Sequence, residues 1–325
     1  MNILTFIIIE LIKFIIILIP VLISVAYLTL AERKILGYSQ NRKGPNVVGI
    51  YGLFQPLADG LKLFTKEIII PNHVNIFLYF FSPILALSLS LMIWIIIPFN
   101  KNSMVLDFNL GLIFIFSISS IGVYAILISG WSSNSKYAFI GALRAAAQMI
   151  SYEVSIGLII FSVILISGSF NLGSIISIQN KTGYFLWSLW PVAFMFFTSC
   201  LAETNRAPFD LTEGESELVS GYNVEYSSMS FALFFLAEYS HIIFMSFLFV
   251  IIFLGGNTLH DLILILKASL FIFIFVWVRT SFPRLRYDQL MTLLWKSYLP
   301  LSLSFIILVN GFIWGLFCLS PKLCI

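Results

Sequence analysis

Charged side chains are scarce in this sequence, with Lys, Arg, Asp and Glu making up 10% of its 325 residues against about 25% in a soluble domain. Water is thereby excluded as the main solvent of the chain. Cysteine is scarce too. Cys200, Cys318 and Cys324 form no CxxC pair and have no histidine partner at metal-ligand spacing, so neither a disulfide framework nor an iron–sulfur or zinc site is indicated. His73, His241 and His260 are scattered, and no metal is assigned to them. No GxGxxG turn follows a strand pattern, which leaves dinucleotides without a binding fold. The formal charge of +3 is small and dispersed, giving no reason to expect nucleic acid as a partner. The apolar stretch begins at Met1 and contains Glu10 and Lys13; with no Arg-rich leader or small-residue cleavage site, no removable targeting peptide is expected.

What the sequence has in abundance is apolar length, at 60% hydrophobic residues. Runs near the twenty residues that cross a bilayer fall at roughly 3–30, 74–98, 109–130, 141–166, 185–203, 229–254, 262–282 and 290–318. The fold expected is an all-α polytopic membrane protein, one transmembrane domain over 1–325 with about eight spanning helices. Pro20, Pro83, Pro191 and Pro300 lie in or near spans and are expected to bend them. Gly311 and Gly315, and Gly141 with Ala142, Ala145, Ala146 and Ala147, read as close helix packing. Between the first two spans, Val47 to Phe64 places Ile50, Leu53, Phe54, Leu57, Leu61 and Phe64 at helical spacing with Asp59 and Lys62 opposite or flanking, the pattern of an amphipathic helix in the interface plane or of a surface helix on a partner.

Thirteen of the eighteen basic residues lie in or beside the loops after the odd-numbered spans, about 31–73, 131–140, 204–228 and 283–289. The positive-inside rule puts those loops on the cytoplasmic or matrix side and both termini on the outer side. Acids sort the same way, with only Glu10, Asp107 and Asp261 of the fifteen toward the outer side. Topology does not explain that, since acids contribute little to it.

The densest acidic segment follows the fifth span and holds Glu203, Asp210, Glu213, Glu215, Glu217 and Glu225 against a single Arg206. Neighbouring acids that are even partly buried raise one another's pKa and can hold and pass protons near neutral pH, whereas a solvated acidic loop would do neither. Glu153 and Glu238 lie about three and two turns inside their spans, where an ionisable group costs about 3 kcal/mol and is a functional candidate by default. Tyr152 and Tyr239 adjoin them and are candidate hydrogen-bond donors; pairing with an Arg such as Arg144 is the structural alternative. Loop and buried acids together suggest a polar file entering the bilayer from the inner side. Basic residues on the same face, Arg33, Lys34, Arg42, Lys43, Arg279, Arg284 and Arg286, would give a chamber with an apolar mouth and a charged interior, suited to a lipophilic quinone. A secondary cation or proton transporter would also need buried acids, although no convincing inverted repeat is found.

Five segments carry a family resemblance, in order: Ala31-Glu32-Arg33-Lys34, Arg42-Lys43-Gly44-Pro45-Asn46, Leu53 to Lys62, Glu203-Thr204-Asn205-Arg206-Ala207-Pro208-Phe209-Asp210 and Arg284-Leu285-Arg286-Tyr287-Asp288-Gln289-Leu290. The chain resembles the chain 1 family of NADH-ubiquinone oxidoreductases, core membrane subunits at the heel of respiratory complex I, over nearly its whole length. The resemblance implies the mitochondrial inner membrane, ubiquinone as substrate and no cofactor bound by this chain alone. It implies hydrophilic-arm subunits that carry flavin and iron–sulfur clusters and dock on the inner loops, and small antiporter-like membrane subunits beyond the acids. It further implies a polar proton channel with Asp59, Tyr152, Glu153, Glu203, Asp210, Glu213, Glu217, Glu225 and Glu238, and a quinone passage bordered by Arg33, Arg42, Asp59, Lys62, Arg284 and Arg286. The homologous subunit of a membrane-bound hydrogenase would keep the same acids without quinone.

Overall fold

The computed structural model describes residues 3–99, 106–210, 221–256 and 261–319, and every regular element among them is helical. The helices are α1 (Ile3–Ser39), α2 (Gln55–Thr65), α3 (Ile76–Met92), α4 (Gly111–Ser132), α5 (Lys136–Ser167), α6 (Leu172–Thr182), α7 (Phe185–Ser188), α8 (Trp190–Glu203), α9 (Ser228–Phe253), α10 (Asp261–Ser281), α11 (Tyr287–Thr292) and α12 (Leu299–Leu319). Among the described residues, seven stretches are long and apolar enough to cross a bilayer: Ile12–Ser39, Ile76–Ile96, Gly111–Ser132, Lys136–Ser167, Ser228–Phe253, Leu262–Ser281 and Tyr287–Gly315. In the last of these, a π turn over Leu293–Tyr298 joins α11 to α12. It lies just ahead of Pro300, whose ring would otherwise meet the carbonyl of Lys296 in a regular helix.

The fifth expected span, 185–203, departs from a full-length helix. It breaks at Leu189 into α7 and the shorter α8, which carries Pro191 in its first turn. Pro191 lacks an amide hydrogen and its ring crowds the carbonyl of Trp187, which favours the break, although Pro20 and Pro83 lie inside α1 and α3 without ending them. The 14 residues of α8 reach about 21 Å, short of a hydrocarbon core of about 30 Å. Three smaller differences follow from local chemistry. The first helix continues to Ser39 rather than ending near 30. The amphipathic helix is confined to Gln55–Thr65, because Pro56 starts it and Gly49 and Gly52 turn the chain at φ 74° and 75° before it. Finally α6, not expected from hydropathy, is capped by the Asn171 side chain, which accepts from the Gly173 amide at 2.8 Å.

Helix α9 is the core element: 72% of its apolar window is buried, against 11–50% in the other spans, and it packs on α1, α3, α8 and α10. On α2, Leu57, Leu61 and Phe64 are exposed and no residue is buried, as suits a helix whose apolar side meets lipid or another subunit. Small residues set the α4–α5 contact. A Cβ added at Gly130 would lie 2.3 Å from the Ala142 Cβ, and one at Gly141 would lie 2.9 Å from the Gly221 Cα. Ala142, Ala145 and Ala146 are buried there as expected. Gly311 and Gly315 correct the expectation: among the described residues, nothing comes within 4 Å of a Cβ built on either, so this pair packs against no described helix.

One buried acid ties four segments together. Glu32 is 5% exposed and accepts from Arg206 Nη1 at 3.0 Å, from Arg279 Nη1, and from the Tyr239 hydroxyl at 2.6 Å. The Arg206 guanidinium also lies 4.3 Å above the Tyr239 ring. Thus α1, the chain after α8, α9 and α10 meet on a single carboxylate.

Two outcomes test this packing. Gly130→Ala should lower stability by about 1–3 kcal/mol through overpacking, read as a lower thermal midpoint in detergent, whereas Gly311→Ala should leave it unchanged within the chain. Glu32→Gln should cost about 3–5 kcal/mol, because it leaves two guanidinium groups facing an uncharged amide. The double variant Glu32→Gln with Arg279→Gln should recover part of that loss, which a double-mutant cycle measures.

Candidate functional site

The shortness of α8 fixes the site. The chain leaves the helix at Glu203 while still surrounded by protein, and Thr204, Pro208, Phe209 and Asp210 are buried. Buried non-helical backbone needs side-chain partners. Gln148, fully buried in α5, supplies them by donating to the carbonyls of Ala202 at 2.8 Å and Phe209 at 3.0 Å. Asp210 accepts from Arg284 Nη2 at 3.1 Å, and the Leu285 amide donates to the Pro208 carbonyl at 3.0 Å. Burial works against the charge of Arg206, but Glu32, then Tyr239 and Glu238, outweigh it and hold the guanidinium above its ordinary pKa. Arg206 stays positively charged at every physiological pH. In its described part this is no solvated acidic loop.

Beside it lies a cavity of about 90 Å³, lined by residues of α3, α4, α5, α8, α9 and the Gly221–Asn223 turn, with room for a few waters. Glu203, Glu238 and His241 line it, together with Ser119 and Tyr222. Glu203 Oε1 is 3.3 Å from His241 Nε2, Glu238 Oε1 accepts from the Tyr222 hydroxyl at 2.5 Å, and Glu153 Oε1 accepts from the Ser119 hydroxyl at 3.2 Å. Two acids, from α8 and α9, therefore line one space, and a third, Glu153 of α5, reaches it through the Ser119 hydroxyl. Buried oxygens without a hydrogen-bond partner among the described residues gather at the same loop: Glu203 Oε2, Asn205 Oδ1 and Asp210 Oδ1. Buried polar atoms are normally paired, and this loop holds three oxygens that are not, among the described residues.

Not every expected residue joins this cluster. The tyrosines correct the expectation, since neighbours in sequence point about 100° apart on a helix. Tyr239 donates to Glu32 rather than to Glu238, and the Tyr152 hydroxyl has no partner among the described residues, its ring lying 5.9 Å from that of Phe209. Arg33 pairs with Asp59 at 2.6 Å, and Gln55 donates to the other oxygen of Asp59 at 3.0 Å, which fastens α2 to α1. Arg42, Lys62 and Arg286 are exposed. Glu225 is partly buried, and its carbonyl accepts from the Tyr79 hydroxyl at 2.7 Å. Glu213, Glu215 and Glu217 lie outside the described residues.

Two residues of the site escaped the sequence reading. Glu32 stands in a motif that reads as topology-setting charge, and nothing local reveals that Arg206 and Arg279 converge on it. His241 lies three positions after Glu238, a spacing that shares a helix face; that spacing was the available signal.

Against known proteins, the family model described as NADH dehydrogenase matches residues 12–310. The chain is 62% identical over 318 residues to "NADH-ubiquinone oxidoreductase chain 1" of Metridium senile, covering 95% of each chain. It is 55% identical over 306 residues to the protein of the same name from Arabidopsis thaliana, covering 91% of this chain and 94% of that one. It is 53% identical over 308 residues to an NADH-quinone oxidoreductase subunit of Rhodospirillum rubrum, covering 91% of each. A match over most of the length, on an all-helical membrane fold, shows that this chain belongs to the NADH dehydrogenase family of multi-pass membrane proteins.

Proposed function

We propose that this chain is the membrane subunit of NADH:ubiquinone oxidoreductase in which quinone reduction is coupled to proton movement, in the mitochondrial inner membrane with both termini on the intermembrane-space side. The observation that carries the reading is the convergence of Glu203, Glu238 and, through Ser119, Glu153 on one cavity. A carboxylate held by neutral hydroxyls or by imidazole takes up and releases a proton without breaking a guanidinium pair, unlike Glu32. Such groups beside a few waters make a proton path.

Quinone chemistry belongs at the basic end of the bundle. Arg33, Arg42, Lys62, Arg284 and Arg286, with Asp59, border the passage, and the exposed apolar residues of α2 face its lipid mouth. Reducing a quinone to a quinol consumes protons as well as electrons. The electrons come from partner subunits of the hydrophilic arm, which hold the flavin and iron–sulfur clusters and dock on the inner loops. This chain supplies the walls. A change of charge beside Arg284 acts on its partner Asp210, and from Asp210 the loop leads to Glu203 and the cavity acids. Glu213 and Glu217 extend the file, Glu225 and Tyr152 flank it, and antiporter-like membrane subunits receive its output.

Two experiments on the assembled complex test the two halves of this reading. Arg284→Ala and Arg33→Ala should raise the KM for quinone about tenfold or more, the worth of a charge-assisted hydrogen bond, while NADH oxidation by a hydrophilic acceptor is kept; equal loss of both activities would instead signal failed assembly. Glu203→Gln preserves size but removes the titratable proton, so in vesicles quinone-linked turnover and proton pumping should fall together by about a hundredfold, the scale of one lost proton-transfer group. A normal turnover with a normal proton-to-electron ratio would remove Glu203 from the path.

A further inference from the structure

Among the cavity residues, His241 has no role in the reading above. An imidazole inside an apolar helix bundle is costly, and ionisable groups at such positions serve function by default. Packing does not account for it. One side of the ring stacks on Phe244 with centroids 6.1 Å apart, a contact that another aromatic ring would make as well, whereas Nε2 points to Glu203 Oε1 at 3.3 Å. The His241 side chain is 16% exposed and that of Glu203 5%, so of the two it is the imidazole that opens more to the cavity.

The surroundings of the ring are sorted by charge. On its own helix, Glu238 lies one turn earlier on the same face and is held by Tyr222 from the Gly221–Asn223 turn. Helix α8 presents Glu203, α4 presents Ser119 with Glu153 of α5 behind it, and α3 presents Ser90. Of the nearby cations, Arg206 is attracted by Glu238 as well as by Glu32. Arg206 and Arg279 are engaged by Glu32 of α1, on the side of α9 that carries Tyr239. The imidazole therefore faces carboxylates, and both of its protonation states have a use there.

We propose that His241 is a positioning and proton-exchanging partner of Glu203, passing protons between the cavity and the Glu203 carboxylate. This rests on the proton-path reading of the cavity. When the imidazole is protonated, the proton on Nε2 moves to Glu203 Oε1. An imidazolium–carboxylate pair becomes a neutral imidazole that keeps its Nδ1 proton and a neutral carboxylic acid, so charge is conserved within the pair. Once Glu203 has passed its proton on, Nε2, the one ring nitrogen left without a proton, is reprotonated from the cavity. Imidazole suits this step because it is the side chain whose proton exchange falls in the range from about pH 5 to 8.

The test is His241→Gln in the assembled complex, beside Glu203→Gln. The Gln amide nitrogen takes the place of Nε2 as a donor to Glu203 but cannot ionise. His241→Gln should lower proton-coupled quinone turnover about tenfold and flatten its pH profile between about pH 5 and 8, with assembly monitored by NADH oxidation through a hydrophilic acceptor. His241→Asn, whose shorter amide does not reach Glu203, provides the second variant should the first not assemble; it should give the same flattened profile. A native turnover and native pH profile in either assembled variant overturns the proposal and reduces His241 to a hydrogen-bond donor or a packing residue. If Glu203→Gln is itself unimpaired, the proton-path reading fails. If Glu203→Gln is impaired and a His241 variant is native, this inference alone fails.

Discussion

The fifth span is broken at Leu189 into α7 and an α8 of only 14 residues, about 21 Å long, and much of this architecture answers that break. Because α8 is short, the chain after Glu203 turns while still inside the bundle. Non-helical backbone at such a place must find partners within the protein. Gln148 caps the exposed carbonyls from α5, Arg206 reaches Glu32 on α1, and Arg284 from the far end of the chain reaches Asp210. The same geometry that demands these partners brings acids from distant segments to one cavity.

The buried acids divide into two electrostatic kinds. Glu32 and Asp210 face guanidinium groups and act as structural anions, holding α1, α9, α10 and the loop in register. Glu203, Glu238 and Glu153 face an imidazole, a phenol and a serine hydroxyl. Exchange of a proton at the second kind breaks no guanidinium pair and leaves the joint on Glu32 intact. The separation lets a protonation change beside the cavity occur without dismantling the joint beside it, and α9 carries both environments on different faces, through Tyr239 on one and Glu238 with His241 on the other.

Much of this was legible in the sequence, for stated physical reasons. Long apolar runs have few alternatives to a membrane helix, so seven of the eight expected spans are helices long and apolar enough to cross a bilayer, and the eighth is the broken pair of α7 and α8. The acids within the spans, Glu153 and Glu238, announce themselves by the cost of placing charge there, and the segment from Glu203 to Asp210 by its density and by family resemblance. The partners of these groups were not legible. Adjacency suggested Tyr239 for Glu238, but helical rotation sends the phenol to a glutamate 207 positions away. Gly311 and Gly315 had the spacing of a packing motif, yet their face meets no described helix of this chain. His241 was visible only as an isolated histidine.

By itself the sequence determined the solvent of the protein, its family and the acids placed inside its spans, because each depends on composition or on contiguous residues. Only the tertiary structure decided that α8 stops short, that its loop is buried, that Arg206 and Arg279 share Glu32, and that Glu203 and Glu238 face one space with an imidazole between them and Glu153 behind Ser119. Those facts depend on how helices far apart in sequence rotate against one another. Hydropathy fixes which stretches enter the membrane, but it does not fix which residue of a uniformly apolar helix turns inward to meet which neighbour.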